Sequence, residues 1–232
     1  MKIVSNTKLI KRNNRIGQIA TIGSLVILLG GLALSFQAQW LTYSFIALLV
    51  GFVTSQVGIY FGNRFGRSPR PDESLSSALK GFDDKYTLYH YMTPVSHLLV
   101  GPAGIWVLLP YSQKGTITYD ESKKRWKQKG GNAYLKIFAQ ESLGRPDLDV
   151  KTSVLDMQNY LVKAAEGVGI PPVQAAVVFT NEKVVVDAAN APAPTMPAEK
   201  LKDFIRRKSK EEPASLEYIR IVQKMLPTES LE

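Results

Sequence analysis

Residues Ile16 to Asn63, IGQIATIGSLVILLGGLALSFQAQWLTYSFIALLVGFVTSQVGIYFGN, contain no charged side chain. A hydrocarbon core about 30 Å thick is crossed by roughly 20 apolar helical residues rising 1.5 Å each. Two such spans fit, Ile16–Phe36 and Trp40–Phe61, separated only by Gln37-Ala38-Gln39. So short a link forces the helices antiparallel. Trp40, Tyr43 and Tyr60 stand near the ends of the second span, where amphipathic rings favour the headgroup layer. A soluble core hairpin of this length would carry charge on an exposed face. The sequence therefore predicts a transmembrane helical hairpin over residues 16–62.

Charge sets its orientation. Residues 1–70 hold eight basic side chains (Lys2, Lys8, Lys11, Arg12, Arg15, Arg64, Arg67 and Arg70) and no acid, and the turn carries none of the eight. The positive-inside rule then places both termini in the cytoplasm, as a multi-pass protein of the cell membrane. A cleavable signal peptide is the rival reading, but the apolar run exceeds the usual 7 to 15 residues and a second span follows at once. The rest of the chain keeps 21 of the 29 basic residues against all 20 acids, so the pI near 9.6 belongs to the membrane flanks. This disfavours nucleic acid as a partner and makes the lipid bilayer the first one. Gly51 and Ser55, with Gly23, Gly30 and Gly31 on the facing helix, allow close backbone approach, either within the hairpin or between copies in a homo-oligomer. With no cysteine, disulfides, thiolate zinc sites and a cysteine nucleophile are excluded.

Residues 1–15 read as a basic cytoplasmic N-terminus and 63–71 as a basic Gly/Pro/Arg linker. Periodicity then predicts a short amphipathic helix at 72–82, a three-strand meander at 86–92, 96–100 and 104–109, and a hairpin from 116–119 and 125–128. A short helix at 132–140 and a longer one at 150–165 follow, then strands at 173–179 and 184–186, a helix from Pro197 to Arg207, and a terminal one at 213–225. Mixed strands and helices of this number give one α/β domain over 72–209, with 210–232 as a C-terminal helix and tail.

Chemistry-bearing clusters are few. Asp72, Glu73, Asp83 and Asp84 read as a helix cap and a turn. Lys123, Lys124, Arg125, Lys127 and Lys129 surround Trp126, but alternation makes Arg125, Lys127 and Lys129 one solvated face while Trp126 packs inward. His97, one of two histidines with His90, reads as a hydrogen-bonded sheet residue. Gly167-x-Gly169 before Ile170-Pro171-Pro172 is a helix stop, because no helix start follows it.

The run GFDDKYTLYHYMTPVSHLLVGPAGIWVLLPYSQKGTI (81–117), with Trp126, VQAAVVFTN (173–181) and AEKLKDFI (198–205), resembles the nuclease-related domain family. The resemblance covers about Asp72 to Arg207 and implies a mixed-sheet, restriction-endonuclease-like core. The family hallmark is a Glu opening the first helix, an Asp-His-hydrophobic strand, a Gly-Pro-x-Gly turn, and a strand ending in Glu-x-Lys. Glu73 matches the helix Glu, His97 the His, and Gly101, Pro102 and Gly104 the turn. Ser96 stands where the family has Asp, Leu109 where it has Glu and Tyr111 where it has Lys. Metal-assisted hydrolysis needs carboxylates to hold Mg²⁺, which neither serine nor leucine supplies. Pro110 is expected to end or bend that strand. The resemblance thus implies a degenerate site, Glu73, Ser96, His97, Leu109 and Tyr111, with no catalytic residue, metal or cofactor. It leaves a cytoplasmic domain that binds another protein or serves as a scaffold. The alternative is a nuclease or phosphodiesterase using displaced acids and Mg²⁺.

Overall fold

The computed structural model describes residues 1–130, 142–165 and 169–231. They form two compact units, one of Met1–Thr7, Pro71–Gly131 and Ser142–Glu232, the other containing Lys8–Arg70.

The second unit is the hairpin. Helix α1 (Thr7–Ser35) turns through a 3₁₀ segment (Ala38–Trp40) into α2 (Leu41–Phe61), which runs on as a π-helical turn (Gly62–Gly66). Both helices are long and apolar enough to cross a membrane. Their buried residues recur every seventh position, Ile10, Gly17, Ser24 and Gly31 on α1 and Ser44, Gly51 and Gly58 on α2. A seven-residue repeat keeps one narrow seam facing the partner helix. Small side chains are required along it. A Cβ on Gly58 would lie 2.5 Å from Thr21 Oγ1, and one on Gly51 2.8 Å from Leu28. Ser44 Oγ donates to the Gly31 carbonyl across the seam at 2.7 Å. The outward faces are apolar and open, with Phe45 70% and Ile22 65% exposed.

Two expectations about the hairpin change. Of the five small residues assigned to the contact, Gly31 and Gly51 are in it, while Gly23 and Gly30 face open space and Ser55 Oγ bonds the Phe52 carbonyl of its own helix. Gly30 sits about 100° round the helix from Gly31, so a single seam cannot use both. The helix also begins nine residues before Ile16, because Lys8 to Arg15 continue its backbone bonding and charge does not end a helix.

The first unit is built on a six-stranded mixed sheet. In chain order its strands are β1 (Lys2–Ser5), β2 (Thr87–His90), β3 (His97–Gly101) and β4 (Gly104–Tyr111). Strands β5 (Gly115–Asp120) and β6 (Arg125–Lys129) form the expected hairpin, followed by β7 (Val173–Phe179), β8 (Val184–Asp187) and β9 (Thr195–Pro197). The large sheet runs β1-β2-β3-β4-β7-β9, and β6-β5-β8 is a second, smaller sheet. The predicted meander β2-β3-β4 is antiparallel, closing at Gly101 opposite Gly104, whose φ of 101° a side chain would resist. The β1–β2, β4–β7 and β7–β9 pairs are parallel.

Helices cover both faces of the sheet: α3 (Pro71–Ala78), α4 (Pro146–Ala164), α5 (Ala198–Glu211) and α6 (Leu216–Met225). Alternation sends Leu98, Val100, Ile105, Val107 and Ala175 toward Met157 and Leu161 of α4 and Ile219 and Val222 of α6. It sends Leu88, Leu99, Trp106, Leu108 and Val178 toward Leu75 of α3 and Leu201 and Ile205 of α5. Burial on both faces explains the nearly unbroken apolar strands.

The N-terminal segment departs most from expectation. Lys2–Ser5 is a strand of this sheet, with Val4 buried among the α4-face residues. Beyond it, the Leu231 N–H donates to the Ser5 carbonyl and Ser5 N–H to Ser230 Oγ, so the chain's last described residues lie along the outer side of β1. Helix α6 likewise belongs to the core through Ile219 and Val222 and is no appendage. Pro110 does not end its strand: β4 continues through it, opposite Val178. The Thr180 N–H donates to the Tyr111 carbonyl, so odd-numbered residues of β4 aim their backbone groups at β7 and even-numbered ones at β3. Pairing with β3 begins at Leu98–Val107, so the N–H that Pro110 lacks would face an unpaired edge. The helix expected at 132–140 and the stop at Gly167 lie outside the described residues.

Candidate functional site

The cations expected to flank the membrane lie on the hairpin unit. Lys11, Arg12 and Arg15 are exposed along the first half of α1, and Arg64 and Arg67 are exposed at and after the π-helical turn. Arg64 donates to Tyr60 Oη at 2.8 Å and lies over its ring. At the opposite end of the hairpin, Trp40 and Tyr43 pack with ring centres 5.4 Å apart. Between the basic ends of α1 and α2 a groove of about 550 Å³ opens, floored by glycines and edged by Asn14, Gln18, Asn63 and Arg67. Sequence reading missed it, because its two walls are some 45 residues apart in the chain.

The positions assigned to the degenerate site divide between the two faces of the sheet. Extending the β3–β4 register two places from Leu98–Val107 sets Ser96 across from Leu109, with Tyr111 further along the same side. Ser96 is exposed, and its carbonyl accepts the Tyr91 N–H. Leu109 packs against the α4-face core. The Tyr111 ring lies 5.7 Å from that of Phe179, and its hydroxyl donates to Asp149 in the first turn of α4. This set does not fit Mg²⁺: its one carboxylate is engaged by a phenol, and an alkyl side chain stands where a second oxygen ligand is needed.

His97 lies on the opposite face, with α3. It is 2% exposed, and its Nδ1 lies 2.8 Å from Nδ1 of His90, its cross-strand partner. His90 Nε2 is 2.9 Å from Ser76 Oγ on α3. One Nδ1 must donate and the other accept, so the two rings share a single proton at that contact. Two imidazoles on one zinc ion would stand about 3.3 Å apart, given bonds near 2.05 Å and tetrahedral geometry. The pair is hydrogen-bonded, as expected of His97. That His90 joins it could have been read only from the β2–β3 register, and that Ser76 does only from the packing of α3 on the sheet. Glu73 is half-buried and Asp72 buried on α3, while Asp83 Oδ1 accepts the Lys85 N–H as a turn acid does. Among the described residues, no three His, Cys, Asp or Glu side chains converge as a metal site.

The basic hairpin β5–β6 alternates as expected. Arg125, Lys127 and Lys129 are exposed, and Trp126 packs inward, edge-on to Tyr119 at 5.2 Å. Lys127 Nζ bonds Asp120 at 2.7 Å and, with Ser122, holds that carboxyl well below the usual range. Across a recess of about 420 Å³ from Lys124 and Trp126, Arg145 pairs with Asp147 at 3.7 Å. Two cations of this surface thus already have carboxylate partners.

Among known proteins, no family model, curated protein or solved structure matches the chain.

Proposed function

We propose that the chain is a membrane-anchored, cytoplasmic binding or scaffolding module, built on a nuclease-related core that does not cleave phosphodiesters. The observation that carries this reading is what occupies the hallmark positions. Leu109 packs, partly buried, against the α4-face core and the Tyr111 hydroxyl is bonded to Asp149, so both help hold α4 against the sheet. The order helix α3, strands β2 and β3, Gly101–Gly104 turn and strand β4 supports the resemblance, whose hallmark sets a helix before a strand, a Gly-Pro-x-Gly turn and a second strand.

Anchoring is supported by the two apolar helices and their open outer faces. A shared side for both termini is supported by β1, which precedes the first span yet pairs with β2, which follows the second. Loss of the first span by signal cleavage would remove a strand from the sheet. The eight flanking cations make that side the cytoplasm.

The test is a cleavage assay on the full chain in detergent, with Mg²⁺ or Mn²⁺ and with single-stranded and duplex DNA and RNA. The expected result is no cutting above background. Cutting that Glu73→Ala abolishes would replace this reading with the displaced-acid enzyme.

A further inference from the structure

The groove at the basic end of the hairpin has edges chemically unlike the rest of the span. We propose that it is a headgroup site for one anionic phospholipid of the cytoplasmic leaflet, with Arg67 taking the phosphate and Gln18 and Asn14 the phosphate and glycerol-ester oxygens. The proposal rests on the hairpin being embedded in a bilayer.

Charge gives the first argument. No carboxylate occurs anywhere in residues 1–70, and the Arg67 guanidinium has no carboxylate partner among the described residues. Arg64 differs, being stacked and hydrogen-bonded on Tyr60 outside the groove lining. A planar guanidinium left open at the membrane surface matches a phosphate in shape and sign.

Gln18 gives the second. It lies one turn inside the uncharged block, lines the groove, is exposed, and makes no side-chain hydrogen bond among the described residues. A primary amide facing hydrocarbon without a partner is costly, whereas ester and phosphate oxygens at that depth satisfy it. Thr21, a turn deeper, is already satisfied by the Gly17 carbonyl, so the unmet polarity is confined to the headgroup level.

Shape gives the third. The α2 wall widens into the π-helical turn at Gly62–Gly66, and such turns are frequent at binding sites. At Gly62, with ordinary helical φ of −60°, an added Cβ would meet nothing within 4 Å. The missing side chain there is open volume, unlike at Gly58, where glycine is needed for helix contact. A groove in the side of an embedded hairpin opens onto lipid, which selects a lipid headgroup over a soluble anion.

The test is native mass spectrometry of the full chain in zwitterionic detergent, titrated with phosphatidylglycerol, phosphatidylcholine or inorganic phosphate. One phosphatidylglycerol should be retained per chain in preference to phosphatidylcholine, and millimolar phosphate should not displace it. Arg67→Gln should weaken retention about fivefold, the worth of one cation at an anionic surface. Gly62→Leu should abolish retention by filling the groove, and Arg64→Gln should leave it in place. Equal retention of both lipids, displacement by phosphate, or indifference to Gly62→Leu would each overturn the proposal. Carbonate extraction of membranes separates this from the anchor itself. An extractable wild-type chain would overturn both readings, whereas an integral chain without lipid preference would overturn only the headgroup site.

Discussion

The placement of Val4 in the sheet is open to direct measurement through the Val4→Ala substitution. Val4 is 1% exposed and packs in the α4-face core, while its neighbour Ile3 on the same strand is 44% exposed. Removing two buried methyl groups costs about 0.8 kcal/mol each in transfer free energy, and the cavity left behind raises the total to about 2 kcal/mol. Ile3→Ala removes more carbon from the exposed side and should cost no more than about 0.5 kcal/mol. With a urea dependence of about 2 kcal/mol per molar, Val4→Ala lowers the unfolding midpoint by about 1 M and Ile3→Ala by about a quarter of that. The assay is urea unfolding of the full chain in detergent, followed by fluorescence of Trp106, which is 1% exposed in the same sheet. Hydrogen exchange read over Thr87–His90 should accelerate in Val4→Ala, because β2 loses support along its pairing with β1. Equal midpoints for the two variants, with unchanged exchange in β2, would refute the assignment of Lys2–Ser5 to the sheet. The argument for both termini on one side would fall with it.

Because the chain has no cysteine, single-cysteine substitution at Gln39 and at Lys85 gives a clean topology measurement. In intact cells, Gln39→Cys should react with an impermeant maleimide and Lys85→Cys only after permeabilisation; the reverse pattern would invert the orientation. Gly101→Ala would set a Cβ 2.3 Å from the Tyr86 ring in a fully packed core, and should cost upwards of about 2 kcal/mol in the same urea assay. Burial pushes the Tyr89 hydroxyl up to about 12. Its folded value lies above the unfolded value near 10, so its contribution is complete below pH 10 and is lost as pH rises toward 12. Urea midpoints measured across that window should fall less steeply in Tyr89→Phe, and parallel curves for the two proteins would refute the assignment.

The two long apolar helices were legible in sequence because a long uncharged apolar run broken by one short link is a matter of length and charge, both additive along the chain. The meander β2-β3-β4 and strand β7 were legible for a related reason, because buried strands are largely apolar and Gly101–Gly104 marks its own turn, whereas the β5–β6 hairpin was legible from the alternation that exposes Arg125, Lys127 and Lys129. Pairing was not legible. Lys2–Ser5 is four residues with one buried side chain, and it becomes a strand only because β2 offers it a row of backbone groups some 85 residues away. Strand β9 and the pairing of β8 with β5 are of the same kind. The seven-residue seam was within reach of the sequence, but choosing Gly31 over Gly30 requires the phase of the helix, which the partner helix sets. The candidate sites divide in the same way. Residue identities alone left no carboxylate at positions 96 and 109, where the resemblance expects Asp and Glu. Bringing Asp149 to Tyr111, His90 to His97, and Gln18 to the same groove as Arg67 took the folded chain, because each pair is joined by register or helix packing and by no local pattern.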